Sequence, residues 1–133
     1  MSIALFFITH EGIASNLLTV GESIIQKPNN NLSFIEVPMD TPVSNILDEA
    51  ESKLNRLTTD DGLFFITDIY GSTPSNIAQQ LATKHEAHLL SGVNLPMVIR
   101  LLSYRDSPAE SLLQKALDGA HKGIRHDNVE IDN

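Results

Sequence analysis

No cysteine occurs in the sequence, so disulfides, thiolate nucleophiles and cysteine-ligated zinc or iron–sulfur centres are excluded. Positive charge is scarce. Nine Lys and Arg stand against 17 Asp and Glu, which gives a net charge of −8 and a pI near 4.9. That balance argues against a nucleic-acid ligand, which needs a basic face to neutralise phosphates, and leaves open docking on a basic protein. Aromatic residues make up only 5% of the chain. Long apolar runs are missing as well: no stretch approaches the roughly 18 residues that a membrane span needs. The opening apolar run, Ile3–Ile8, follows only Met-Ser and lacks the basic segment of a secretory signal. No membrane insertion and a cytoplasmic location are the expectations.

What is present fits one domain with one sizeable core in 133 residues. Strand-like and helix-like patterns alternate. Strands are expected at Ile3–Ile8, Leu32–Val37, Leu63–Thr67 and Ala87–Leu90. Helical spacing runs over Ile13–Ile25, from Thr41-Pro42 to Leu54, from Thr73-Pro74 to about Lys84, over Leu95–Leu102, and over Pro108–His121. Thr41 suits an N-cap and Pro42 the first helical position. The first and third strands are apolar along their whole length, the signature of a parallel sheet covered on both faces. The expected fold is an open, doubly wound α/β sheet. A main unit over 1–124 is followed by a tail, 125–133, in which Val129 and Ile131 alternate with polar residues and could form an edge strand.

In such folds ligands sit beyond the carboxyl ends of the strands. The first strand leads to Thr9-His10, and the third to Thr67-Asp68, followed by Ile69-Tyr70-Gly71-Ser72-Thr73-Pro74. If these strands are neighbours, His10 and Asp68 face one crevice. A carboxylate beside an imidazole accepts one ring N–H, fixes the tautomer and leaves the other nitrogen free to attack an electrophile. The turn at Gly71, Ser72 and Thr73 opens a helix, whose N-terminal N–H groups favour an anion. Pro74 contributes no donor there, so the N–H groups of Ser72, Thr73, Ser75 and Asn76, with the hydroxyls of Ser72 and Thr73, form the expected cradle. Nucleophile, orienting carboxylate and anion cradle together suggest phosphoryl transfer to a histidine.

Each residue also has an ordinary reading. A histidine in a turn is commonly only polar, Thr-Pro before a helix only a cap, and Asp68 only a turn residue. His85, His88, His121 and His126 read as solvated surface residues. No His and carboxylate spacing fits a metal site, and no cofactor is implied.

Three segments in order, "ITHEG", "FFITDIYGSTPSN" and "SGVNLPMV", resemble the mannose-type enzyme IIA domain of the phosphoenolpyruvate-dependent sugar phosphotransferase system. The resemblance runs from Ile3 to about Ile124. It implies a parallel sheet of order 2-1-3-4 with helices on both faces. It implies that His10 accepts a phosphoryl group from the phosphocarrier HPr and passes it to a histidine of an enzyme IIB on a separate chain, for sugar uptake or regulation. Asp68 falls on the family's strand-end aspartate and Thr73 on its hydroxyl residue before the loop proline. A homodimer that exchanges a C-terminal strand is also implied.

Two positions depart from that pattern. Glu11 stands where the family usually has glycine after the histidine, and a carboxylate there repels an incoming phosphoryl group unless it turns away. Ser72 replaces the second glycine of the loop, which restricts the backbone at the cradle. Rival readings are a receiver domain, which needs an acidic pair where Thr9-His10 stands, the phosphotransferase subunit of a dihydroxyacetone kinase, and a flavodoxin-like binding module. For the last, only Tyr70 is placed to stack on a flavin ring.

Overall fold

The structure is a computed structural model and describes residues 2–27 and 29–130. Along the strands, successive side chains serve opposite faces. Leu5, Phe7, Phe64 and Ile66 belong to one buried cluster, and Ala4, Phe6, Ile8 and Phe65 to the other. Both faces are therefore dry, which is why these runs show no polar alternation.

The elements are β1 (Ala4–His10), α1 (Ala14–Ile25), β2 (Leu32–Val37), α2 (Val43–Leu54), β3 (Leu63–Thr67), α3 (Thr73–His85), β4 (His88–Leu90), α4 (Leu95–Ser103) and α5 (Ala109–Lys122). The four strands are all parallel, in the order β2-β1-β3-β4. Phe7 sits opposite Phe34 on one side and Ile66 on the other. This is the α/β topology expected.

Helices α1, α4 and α5 cover one face through Ala14, Leu18, Val98, Leu101, Leu112 and Ala116. Helices α2 and α3 cover the other through Ile46, Ala50, Ile77, Ala78 and Leu81. A glycine inside α1 has a packing reason: a Cβ at Gly21 would lie 2.9 Å from Val98 Cγ1 and 3.3 Å from Leu102 Cδ1. Its absence lets α1 and α4 approach.

At the amino edge of the sheet, the buried Arg105 guanidinium donates through Nη2 to the carbonyls of Ile3 at 3.1 Å and Asn31 at 2.7 Å. It ties the connection after α4 to the entrances of β1 and β2.

Most element ends shift by a residue or two, three of them for an identifiable reason. β1 runs on through Thr9 and His10, because backbone pairing with Glu36 and Val37 continues after the apolar side chains stop at Ile8. Pro42, with extended backbone, takes the N-cap of α2, so Thr41 lies outside the helix. β4 begins at His88 rather than Ala87. In the tail, residues 124–130 form no strand within the chain, and Ile131 lies outside the described residues. Among the described residues no helix is long and apolar enough to cross a membrane.

Candidate functional site at the strand tips

His10 is the last residue of β1 and emerges at the carboxyl edge of the sheet with its side chain 41% exposed. Asp68 follows β3, the direct neighbour of β1, so the two tips meet. Asp68 Oδ2 lies 2.7 Å from His10 Nδ1 and also accepts the His10 backbone N–H at 2.9 Å. Its other oxygen accepts the Ile69 N–H at 3.0 Å. Burial would push this carboxyl up, but the His10 backbone and ring donors, with Ile69, outweigh it and hold the group below the ordinary carboxylate range. An ionised Asp68 accepts and cannot donate. The hydrogen-bond network therefore assigns the proton of a neutral ring to Nδ1 and the lone pair to Nε2.

The loop after Asp68 turns sharply. Gly71 has φ +86° in open space, so its requirement for glycine comes from the backbone alone. Ser72 has φ −89° and ψ 171°, ordinary extended backbone, so a side chain costs nothing there. Its hydroxyl donates to the Ile69 carbonyl at 2.7 Å and braces the loop. Ser75, 2% exposed, does the same from inside by accepting the Gly71 N–H at 3.3 Å. The Asn76 N–H is already committed to the Ser72 carbonyl at 2.9 Å, which removes it from the expected cradle. Among the described residues the N–H groups of Ser72 and Thr73 have no acceptor, and Thr73 is exposed.

The turn after His10 uses the same device. Gly12, not residue 11, has the positive φ, +83°. Glu11 is exposed. Thr9 Oγ1 donates to the His10 carbonyl at 2.8 Å and accepts the Ala14 N–H at 3.0 Å. Glu36, at the end of β2, accepts both the N–H and the hydroxyl of Ser15 through Oε2, at 2.9 and 2.7 Å. Burial works against the Glu36 carboxylate, yet the donors from Ser15 and the Gly12 backbone keep its carboxyl below the usual range. Neither Thr9 nor Glu36 stands out in the sequence as a site residue. The available signal is that, in a parallel sheet, polar residues ending adjacent strands gather at one edge.

The remaining histidines lie elsewhere. His85 Nε2 meets Glu51 Oε1 at 2.9 Å and links α3 to α2. His88, expected to be solvated, instead packs its ring 4.8 Å from that of Phe64, because β4 borders the buried face of β3. His121 and His126 are exposed. No group of three or more His, Asp or Glu that could hold a metal occurs among the described residues.

With this arrangement in view, comparison with known proteins is decisive for the family. The model described as "PTS system fructose IIA component", of mannose type, matches residues 4–117. The chain belongs to this family. The mannose-specific EIIAB component of Escherichia coli strain K12 is 26% identical over 128 residues, covering 94% of this chain. The chain spans only 39% of that relative's length. Among solved structures, a phosphotransferase-system permease protein from Klebsiella pneumoniae is 27% identical, with a TM-score of 0.76 over 95% of this chain and 91% of its own. The mannose/sorbose-specific IIA subunit from Enterococcus faecalis is 15% identical and superposes over 100% of both chains with a TM-score of 0.85, which speaks for the shared fold. Membership of this family supports a phosphotransfer role in a sugar phosphotransferase system.

Proposed function

We propose that the protein is a phosphohistidine carrier of a sugar phosphotransferase system. The observation that carries this reading is the 2.7 Å contact between His10 Nδ1 and Asp68 Oδ2, beside the uncommitted N–H groups at the start of α3. His10 Nε2 attacks the phosphorus of a phosphohistidine on HPr. A new P–N bond forms as the donor's P–N bond breaks, and that electron pair returns to the donor ring. Asp68 keeps the Nδ1 proton in place and offsets the positive charge that develops on the ring. The N–H groups of Ser72, Thr73 and Ser75, with the Thr73 hydroxyl, receive the phosphoryl oxygens. Gly71, together with the Ser72 and Ser75 hydroxyls, shapes that cradle. The reverse step delivers the group to a histidine of an enzyme IIB chain.

A protein rather than a small molecule as donor suits the rim of the site. Ile69 is 59% and Tyr70 80% exposed in the loop after Asp68, and Ile13 is exposed at the start of α1, just after His10. Such apolar groups around a reactive side chain fit transient docking. A homodimer belongs to the same reading, with the exposed Ile124 and Val129 of the tail as groups to be covered by a second copy.

The test is reconstituted labelling from phosphoenolpyruvate with enzyme I and HPr, followed by mapping of the modified residue. Acid-labile label on His10, absent from His10→Ala, is the expected result. Label elsewhere, or none, overturns the reading.

A further inference from the structure

Of the helix N-termini at the carboxyl edge of the sheet, those of α1 and α3 directly follow the strands that lead to His10 and Asp68, and either would attract an anion. Their donors are disposed differently. At α1 the Ile13 N–H goes to the His10 carbonyl at 3.4 Å, the Ala14 N–H to Thr9 Oγ1 at 3.0 Å, and both donors of Ser15 to Glu36 Oε2. At α3 the N–H groups of Ser72 and Thr73 remain uncommitted among the described residues.

Strand register explains how the carboxylate gets there. Glu36 pairs with Thr9, one residue before the phosphoryl acceptor, and a glutamate is long enough to reach across to the first turn of α1. It is half-buried and makes charge-assisted bonds of 2.7 and 2.9 Å. No other β2 residue accepts from α1 in this way among the described residues.

We propose that Glu36 is a positioning residue: a built-in anion that fills the N-terminus of α1, so that a phosphoryl group on His10 is received at α3 alone. By holding Ser15, the same carboxylate steadies the start of α1, which follows the turn after the imidazole. This role presupposes the carrier reading of His10 and adds to it the residue that decides which of two helix ends receives the phosphoryl oxygens.

The experiment is amide NMR of the full chain titrated with inorganic phosphate, on the wild type, Glu36→Gln and Glu36→Ala. In the wild type, responses are confined to residues 71–75. In Glu36→Ala, with the α1 end vacated, a second set appears at residues 12–15. Glu36→Gln keeps an acceptor for Ser15 but loses the charge, and gives a weaker version of the second set. It also carries the test if Glu36→Ala fails to fold. Phosphoryl transfer from phospho-HPr to Glu36→Ala falls roughly tenfold, because the group is no longer held in one orientation.

A merely structural Glu36 lowers the melting temperature and leaves the wild-type phosphate map intact. That outcome overturns the proposal, as does a response at residues 12–15 in the wild type. Labelling of His10 reports separately on the carrier reading. Absence of label overturns the carrier reading and with it the role that presupposes it, whereas label with an unchanged map overturns the role of Glu36 alone.

Discussion

One oxygen of Asp68 holds two donors of His10, the ring Nδ1 at 2.7 Å and the backbone N–H at 2.9 Å, while the other oxygen takes the Ile69 N–H. Every neighbour of this carboxylate in the site is therefore a donor, and an amide cannot satisfy that arrangement. In Asp68→Asn, an NH2 group must face either Ile69 or His10. Facing His10, it turns the ring nitrogen into an acceptor and moves the proton to Nε2, the atom that must attack. The expected result is a loss of about 100-fold in the rate of phosphoryl acceptance, of the size that misplaced acid–base groups cost. Quench-flow labelling checks it, and an unchanged rate removes the orienting role of Asp68.

The same pair predicts a pH dependence of stability. The folded Asp68 carboxyl lies below its ordinary range, burial being outweighed by the donors from His10 and Ile69. A depressed folded value means that the contribution is complete above the unfolded value, about 3.9, and is lost as pH falls through the lower, folded value. The gap in melting temperature between wild type and Asp68→Asn should be steady above about pH 5 and should close below about pH 4. A gap that widens in acid contradicts the assignment.

Gly71 and Ser72 should both lose stability on substitution, for different reasons. Gly71→Ala places a side chain at φ +86° with no neighbour to clash, so its cost is torsional, about 1–2 kcal/mol. Ser72→Gly loses the hydroxyl bond to Ile69, at a cost of about 1 kcal/mol. Urea unfolding measures both. Labelling should fall more steeply in Gly71→Ala, because that change moves the cradle itself.

Gly21 tests the packing that supports α1. Gly21→Ala gains helix propensity of about 0.5–1 kcal/mol. The added methyl, however, meets Val98 Cγ1 at 2.9 Å, and a β-branched side chain in a helix yields poorly. Overpacking of this kind costs about 1–3 kcal/mol, so net destabilisation is expected. Combining it with Val98→Ala should relieve the clash, seen as a favourable coupling in a double-mutant cycle. Strict additivity would show that α1 and α4 do not approach as closely as described.

Much of the architecture was legible from apolar patterning. The runs Leu63–Thr67 and Leu32–Val37 are the observed strands, and the helix ends differ by one or two residues. What patterning could not show is where pairing outlasts hydrophobicity, as at Thr9 and His10, or where a ring such as His88 packs on a buried phenyl group. The departures at Glu11 and Ser72 looked costly as residue types. Backbone angles show that the glycine requirement falls on Gly12 and Gly71 instead.

The sequence alone determined the class of fold and the chemical parts, because periodic burial and residue type are local properties. It held an imidazole after one apolar run, a carboxylate after another and a glycine turn before a helix. Only the tertiary structure brought His10 and Asp68, 58 residues apart, to hydrogen-bonding distance, since that depends on β3 lying beside β1 with its tip level. It also decided which helix end keeps its donors free, because Glu36 reaches α1 only through the register of β2 on β1.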